Sequence, residues 1–226
     1  MDVPVLSCEG LSKSYGNIPV LQDLRLTLRA GETVGIFAPE GYGKTTLIKL
    51  IAGLLVPTVG RIEIDGNAPS LATRGIISYL PSECALPKAM NTEELVAFYT
   101  RMFADFEPEK AKALLKALRV STVKPIKALT RGTRKKVALI LTMSRKAKCY
   151  LLDEPIGEDP AAREYILNTI FETRAANSCI LIASSLASEI APHLDTVYFL
   201  KDGKLSAYQS NGDEALEDTY GRMFSC

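Results

Sequence analysis

The residues Ala38-Pro39-Glu40-Gly41-Tyr42-Gly43-Lys44-Thr45-Thr46 have the types and spacing of a loop that wraps phosphate. Glycines let the backbone approach an anion closely. The amide N–H groups of such a loop converge on phosphate oxygens, and the helix that follows adds the positive end of its dipole. In that chemistry Lys44 reaches the β- and γ-phosphates, Thr45 holds Mg²⁺ and Thr46 secures the α-phosphate. The pattern G-x-x-x-x-G-K-[ST] is met except at its first position, where Ala38 stands for glycine. Taken alone, the segment also reads as a Gly-rich turn before a helix.

A second group lies more than a hundred residues on, where the apolar Tyr150-Leu151-Leu152 ends in Asp153 and Glu154. The carboxyl edge of a parallel sheet is where sites form. There Asp153 would bind Mg²⁺ through water, and Glu154 would orient and deprotonate the water that attacks a γ-phosphate. Without the upstream loop the pair reads equally as acidic residues capping the next turn. A third group, Leu129-Thr130-Arg131-Gly132-Thr133-Arg134-Lys135-Lys136, sets small hydroxyl residues and a glycine ahead of a basic helix start. Free N–H groups at such a start make an anion site.

The elements that must position these groups follow from periodicity. Val5 to Cys8, Leu21 to Leu28 and Arg61 to Asp65 alternate with period two and are punctuated by Tyr15-Gly16-Asn17, Ala30-Gly31 and Asp65-Gly66-Asn67, which predicts an antiparallel patch. Thr33 to Ala38 is a short apolar run entering the phosphate loop, and Thr45 to Leu55 carries Leu47, Ile48, Leu50, Ile51, Leu54 and Leu55 on one helical face. From Asn91 to Arg145 the pattern is helical: Asn91 or Thr92 caps one helix, Pro108 opens a second, and a third starts near Gly132. Beyond it, strands at Cys149 to Leu152, Cys179 to Ala183 and Thr196 to Leu200 alternate with helices at Ala161 to Arg174 and Leu186 to Ile190, and a hairpin turn falls at Lys201-Asp202-Gly203. Strands alternating with helices imply a parallel sheet into which the helical block is inserted.

Composition bounds the function. The 226 residues are 47% hydrophobic and 23% charged, close to a soluble globular average, which excludes collagenous, coiled-coil and disordered classes. A formal charge of +1 gives no reason to expect a nucleic-acid partner. The cysteines, at 8, 84, 149, 179 and 226, form no C-x-x-C pair, so zinc and dithiol chemistry are not indicated and a reducing compartment is expected. No apolar run approaches the ~20 residues that cross a bilayer, and the first ten residues lack an export signal, so the chain is expected neither to be exported nor to be inserted.

With its three motifs in this order, the chain resembles the nucleotide-binding subunit of an ATP-binding cassette (ABC) transporter over essentially its whole length. Leu129 to Thr133 is similar to the L-S-G-G-Q signature of that family, or to its L-S-K-G-M-K form. Tyr15 stands where an aromatic A-loop residue stacks on adenine, although it also reads as a half-buried ring at a strand end. Asp153-Glu154-Pro155 leads into a D-loop ending at Asp159-Pro160, and Asp153 to Ile170, with Ser78-Tyr79-Leu80-Pro81, looks most like ATPase subunits of small bacterial export systems.

The resemblance implies an α/β fold, a P-loop NTPase core with an antiparallel β subdomain and an inserted α-helical subdomain at about 83–147 of a single domain spanning 1–226. It implies ATP and Mg²⁺ as ligands, with Thr45 and Asp153 at the metal and Glu154 as catalytic base. Two such subunits, in a homo- or heterodimer, would face each other head to tail, each ATP lying between one P-loop and the signature residues Thr130 and Gly132 of the other. Integral-membrane subunits on separate chains would complete the transporter. The expected location is cytoplasmic, peripheral on the inner face of the cell membrane, with no nucleic acid involved.

Beyond Ala38, the sequence departs from the family at four places. Ser185 takes the position of a histidine that contacts the γ-phosphate, and the single histidine, His193, falls eight residues later, where a surface position is expected. Ser82 replaces a glutamine, Glu40 sets a carboxylate near phosphate charge where asparagine is common, and Ile156-Gly157-Glu158-Asp159 is one residue short. Losing one preorganised group costs ~10²- to 10³-fold in rate, so an ATPase with slowed turnover is expected. A nucleotide-gated regulatory subunit that does not hydrolyse is the competing expectation. A soluble ATPase working on nucleic acid is a third, supported only by Glu109 to Lys148, with thirteen Lys or Arg and one acidic residue; that run also reads as a solvated helical face, or as one turned to anionic lipid headgroups or to the partner subunit's phosphates.

Overall fold

The computed structural model describes residues 3–83, 86–157, 160–208 and 216–224. Two sheets share a core that includes Leu47, Ile48, Leu50 and Ile51. The first is antiparallel, with order β2-β1-β4, built from β1 (Leu6–Tyr15), β2 (Ile18–Leu28) and β4 (Val59–Ile64). The second has order β5-β6-β7-β3-β8-β9, from β3 (Thr33–Phe37), β5 (Ile77–Leu80), β6 (Cys149–Asp153), β7 (Cys179–Ser184), β8 (Thr196–Lys201) and β9 (Lys204–Ala207). Its strands run parallel from β5 to β8, and β9 is the antiparallel edge.

Strand β1 runs on to Tyr15, seven residues past the Cys8 at which its alternation stops. The register shifts between Cys8 and Leu11, again before Lys13, and again at Ser14, and Gly10 takes φ 60°. Each bulge resets the in–out alternation, so period-two reading loses the strand while the ladder continues. β4 crosses close to this distortion at Gly60, where a Cβ would lie 2.4 Å from the Gly10 carbonyl oxygen.

All five residues of β3 are buried, because both faces of the parallel sheet are covered. Val34 and Ile36 face Leu47, Ile48 and the antiparallel sheet on one side. Phe37 belongs to the opposite core, with Ile140, Ile166 and Phe199. From β3 the chain turns into α1 (Lys44–Ile51), which stops four residues before the expected Leu55. Gly53, at φ 68°, ends the helix in the left-handed conformation, and Leu54 N–H closes back on Lys49 O at 2.8 Å. Leu54 is therefore left outward rather than on the buried face.

The short α2 (Leu71–Gly75) precedes β5, and three helices fill the insertion. α3 (Thr92–Met102) starts at a reciprocal cap in which Asn91 and Glu94 exchange bonds of 2.9 Å. α4 (Pro108–Ala117) opens with proline at its first turn, and α5 (Arg131–Met143) is capped by Thr130, whose Oγ1 accepts from Thr133 N–H at 3.1 Å. Arg145, 4% exposed, fastens this block to the core. It grips Asp105 through two bonds of 2.9 and 3.0 Å, donates to the carbonyls of Ile77 and Gly75, and stacks its guanidinium 4.1 Å from the Phe103 ring. After β6, α6 (Pro160–Thr173) and α7 (Ala187–Ile190) cover the sheet, and α8 (Leu216–Phe224) closes the described chain.

No helix among the described residues is long and apolar enough to cross a membrane. Cys8, Cys149 and Cys179 are free and buried, and burial pushes the Cys8 thiol up to about 12.

Candidate functional site at the end of the parallel sheet

Strands β3, β6 and β7 end side by side, and their carboxyl ends carry the P-loop, the Asp153-Glu154 pair and the Ser184-Ser185 pair. Ala38 N–H is bonded to Ser184 O at 3.3 Å, which ties the start of the loop to β7. Gly41 and Gly43 adopt φ of 86° and 97°, a region in which a side chain is strained. At Gly43 a Cβ would also lie 2.9 Å from Val20 Cγ1, so the antiparallel sheet backs the loop directly. Pro39, Tyr42, Thr45 and Thr46 are half-buried, and Glu40 and Gly41 are exposed.

Lys44 is 6% exposed. Its ammonium donates to Ala38 O at 2.7 Å and Pro39 O at 3.0 Å, and lies 3.1 Å from Glu154 Oε1 as an ion pair off the hydrogen-bond angle. Glu154 Oε2 accepts from Ser184 Oγ at 3.1 Å, Ser185 N–H at 3.1 Å and Ser185 Oγ at 3.4 Å. The Glu154 backbone has φ 47°, unusual for a residue with a side chain, and its N–H is held by Ala183 O at 2.8 Å. Sequence reasoning expected Glu154 here as a base and did not foresee that Ser184 and Ser185 bond its carboxylate.

Asp153 is fully buried, and neither carboxylate oxygen makes a hydrogen bond of ordinary geometry. Burial raises its pKa above the usual carboxylate value; Thr45 and Ser82 lie near enough to favour the anion, Glu154 opposes it, and Lys44 supports it. Two unpartnered oxygens, with a threonine hydroxyl beside them, are a donor set that suits a hard divalent cation. Tyr79 senses the same charge: burial first, then Asp153, pushes its phenol up to about 12.

The remaining expected residues are dispersed. Tyr15 is 48% exposed at the tip of the β1–β2 hairpin, with Lys13 Nζ 5.3 Å from the centre of its ring. Thr130 and Gly132 are exposed at the start of α5. Among the described residues these three make no hydrogen bond or ring contact with the P-loop. One turn into α5, Lys135 donates to Ile156 O at 3.3 Å, and burial lowers its pKa while Glu154 works against that fall. His193 is exposed, stacked on Phe171 at 5.1 Å, and its carbonyl accepts from Thr33 Oγ1 at 3.4 Å. Thr33 begins β3 and the P-loop follows its end, so about 16 Å of strand separates His193 from the site. Glu158 and Asp159 of the expected D-loop, and Cys84 and Cys226, lie outside the described residues.

Comparison with known proteins agrees with this geometry. The family model described as ABC transporter matches residues 21–157. The lipopolysaccharide export system ATP-binding protein LptB of Haemophilus influenzae is 31% identical, over 97% of this chain and 98% of its own. Among solved structures, a putative ABC transporter ATP-binding protein from Pyrococcus furiosus is 27% identical with a TM-score of 0.74, covering 86% of this chain and 96% of its own. An ATP-binding subunit of an ABC transporter at 23% identity shares the fold with a TM-score of 0.87, covering 97% of this chain and 99% of its own. A loop with the P-loop pattern, an acidic strand end beside it and relatives matched along nearly their full length leave one conclusion: the chain belongs to the ABC transporter family, as one of its ATP-binding subunits.

Proposed function

We propose that the chain binds MgATP at the P-loop and hydrolyses it slowly, driving export by separate membrane subunits. The observation that carries this is the convergence of Lys44, Asp153 and Glu154 at the ends of β3 and β6. Backbone N–H groups of residues 41–46 and the Lys44 ammonium would hold the phosphates, and Tyr15 would stack on adenine. Asp153 and Thr45 would hold Mg²⁺, which when bound neutralises charge on the phosphate oxygens. Glu154 would take a proton from the attacking water, oriented by the Ser184 and Ser185 donors on its Oε2. Phosphate at Lys44 competes with Glu154 for the same ammonium, so nucleotide binding would free the base.

Slow turnover is inferred from Ser185. Its side chain and N–H turn onto Glu154, and it has no imidazole to extend to a γ-phosphate. Retention of Glu154 at the site supports hydrolysis over a purely regulatory subunit.

We further propose one domain over 1–226 with a helical subdomain at about 83–147, pairing head to tail with a second ATP-binding subunit through Thr130 and Gly132. The location proposed is the inner face of the membrane. A cavity of about 250 Å³ between core and helices, lined by Leu54, Arg74, Tyr79, Tyr99, Phe103 and Arg145, is where a cytoplasmic helix of the membrane subunit would dock. Leu54 is 53% exposed there, and Tyr79 spans from the cavity toward the charge of Asp153. Several cations of the 109–148 run are paired, Lys112 with Glu109, Lys146 with Glu107 and Lys148 with Asp65, which favours a solvated face over a nucleic-acid surface. Steady-state phosphate release by wild type and by Glu154→Gln tests the assignment; equal rates would overturn it.

A further inference from the structure

Helix α8 carries aromatic side chains onto the phosphate loop. The rings of Phe224 and Tyr42 meet edge to face with centroids 5.2 Å apart. Tyr220 packs on Phe224 at 4.8 Å, and both pack on Phe199 of β8, at 5.8 and 6.3 Å. Lys201, at the end of β8, caps the helix by donating to Met223 O. Tyr220 sits close enough to the site that, after burial, the charge of Glu154 and the Tyr42 phenol raise its pKa. Phe224 thus touches both the sheet, at Phe199, and the P-loop, at Tyr42.

Tyr42 stands between Gly41 and Gly43, both in the left-handed region. Glycines restrain the backbone least, so this stretch of loop has little conformational preference of its own. Its N–H groups are useful to phosphate only when aimed together; Lys44 ties the start of the loop through Ala38 O and Pro39 O, and the side chain that stands between the two glycines is that of Tyr42. Ordering a loop before binding removes an entropic cost from the binding step.

We propose that Phe224, acting through Tyr42, is a positioning residue for the P-loop, so that the carboxyl-terminal helix sets nucleotide affinity. Docked α8 holds the loop in its phosphate-binding geometry; displaced α8 releases it. The inference rests on MgATP binding at the P-loop, as proposed above.

The test is calorimetric titration of MgATP into wild type, Phe224→Ala, Phe224→Tyr, Tyr42→Ala and the Tyr42→Ala/Phe224→Ala double variant, with Tyr208→Ala as comparison. Tyr208 packs on Phe199 at 5.8 Å on the side of β9. An aromatic pair of this kind is worth roughly two- to tenfold in an equilibrium constant. Phe224→Ala should weaken binding by that factor, Phe224→Tyr should restore it, and the double variant should be no weaker than Tyr42→Ala. Turnover should show the loss in KM with kcat unchanged, whereas Tyr208→Ala should lower the melting temperature without moving Kd. The chain contains no tryptophan, so Phe224→Trp supplies a single reporter whose emission should shift as MgATP saturates. Equal Kd for wild type and Phe224→Ala, or tryptophan emission that ignores saturating MgATP, would overturn the inference and leave the P-loop assignment standing. Failure of wild type to bind MgATP would remove both.

Discussion

Lys44 and Glu154 face each other at 3.1 Å, one 6% and the other 22% exposed at the side chain. The group proposed to hold phosphate and the group proposed to activate water are thus joined, and each limits the other. Glu154→Gln should break this pair while keeping side-chain shape. Phosphate release should fall by at least about 10²-fold, the scale of losing a group that acts in the transition state. MgATP should bind no more weakly, because the competitor for Lys44 is then neutral, and the ATP-bound dimer should accumulate on gel filtration.

Ser185→His tests whether turnover is limited at position 185. The substitution returns an imidazole to the end of β7 and removes one hydroxyl donor from Glu154, whose backbone bond from residue 185 remains. An increase in kcat is expected in the phosphate-release assay; a decrease would show that the Ser185 hydroxyl orients the base.

Asp153 carries a cost that pH and substitution expose. Its pKa is raised in the fold from the ordinary 3.8, so the folded chain holds this proton more tightly than the unfolded chain. Stability from this group falls as pH rises from 3.8 through the raised value and is flat above it. Without nucleotide, Asp153→Asn should remove that dependence and raise the melting temperature near neutral pH. Thermal unfolding across pH 4 to 8 reads both.

Much of the site was legible in the sequence because its signals are local. Gly41, Gly43 and Lys44 act within one loop, and Asp153 and Glu154 follow an apolar strand directly. The orientation of Glu154 was not legible, since its partners Ser184 and Ser185 stand 30 and 31 residues away on the neighbouring strand. The course of β1 past Cys8 was hidden by successive bulges, whereas α8 was legible and was missed: Leu216, Tyr220, Met223 and Phe224 follow the i, i+4, i+7, i+8 spacing of one helical stripe. The end of α1 was different: Gly53 was a readable stop, and the apolar Leu54 and Leu55 beyond it outweighed it wrongly.

Leu54, turned outward by that stop, supplies the test of docking. Leu54→Glu should reduce co-purification with the membrane subunit by at least about tenfold, the scale of a central interface contact. Unchanged recovery with Leu54→Glu would place docking elsewhere.

The central claim is that the loop 38–46 binds MgATP, and calorimetric titration of wild type against Lys44→Ala tests it most directly. Wild type should bind saturably and Lys44→Ala not at all, and the fold of the variant should persist because, among the described residues, the lost ammonium bonds Ala38 O and Pro39 O and pairs with Glu154. Equal affinity in the two proteins would contradict it.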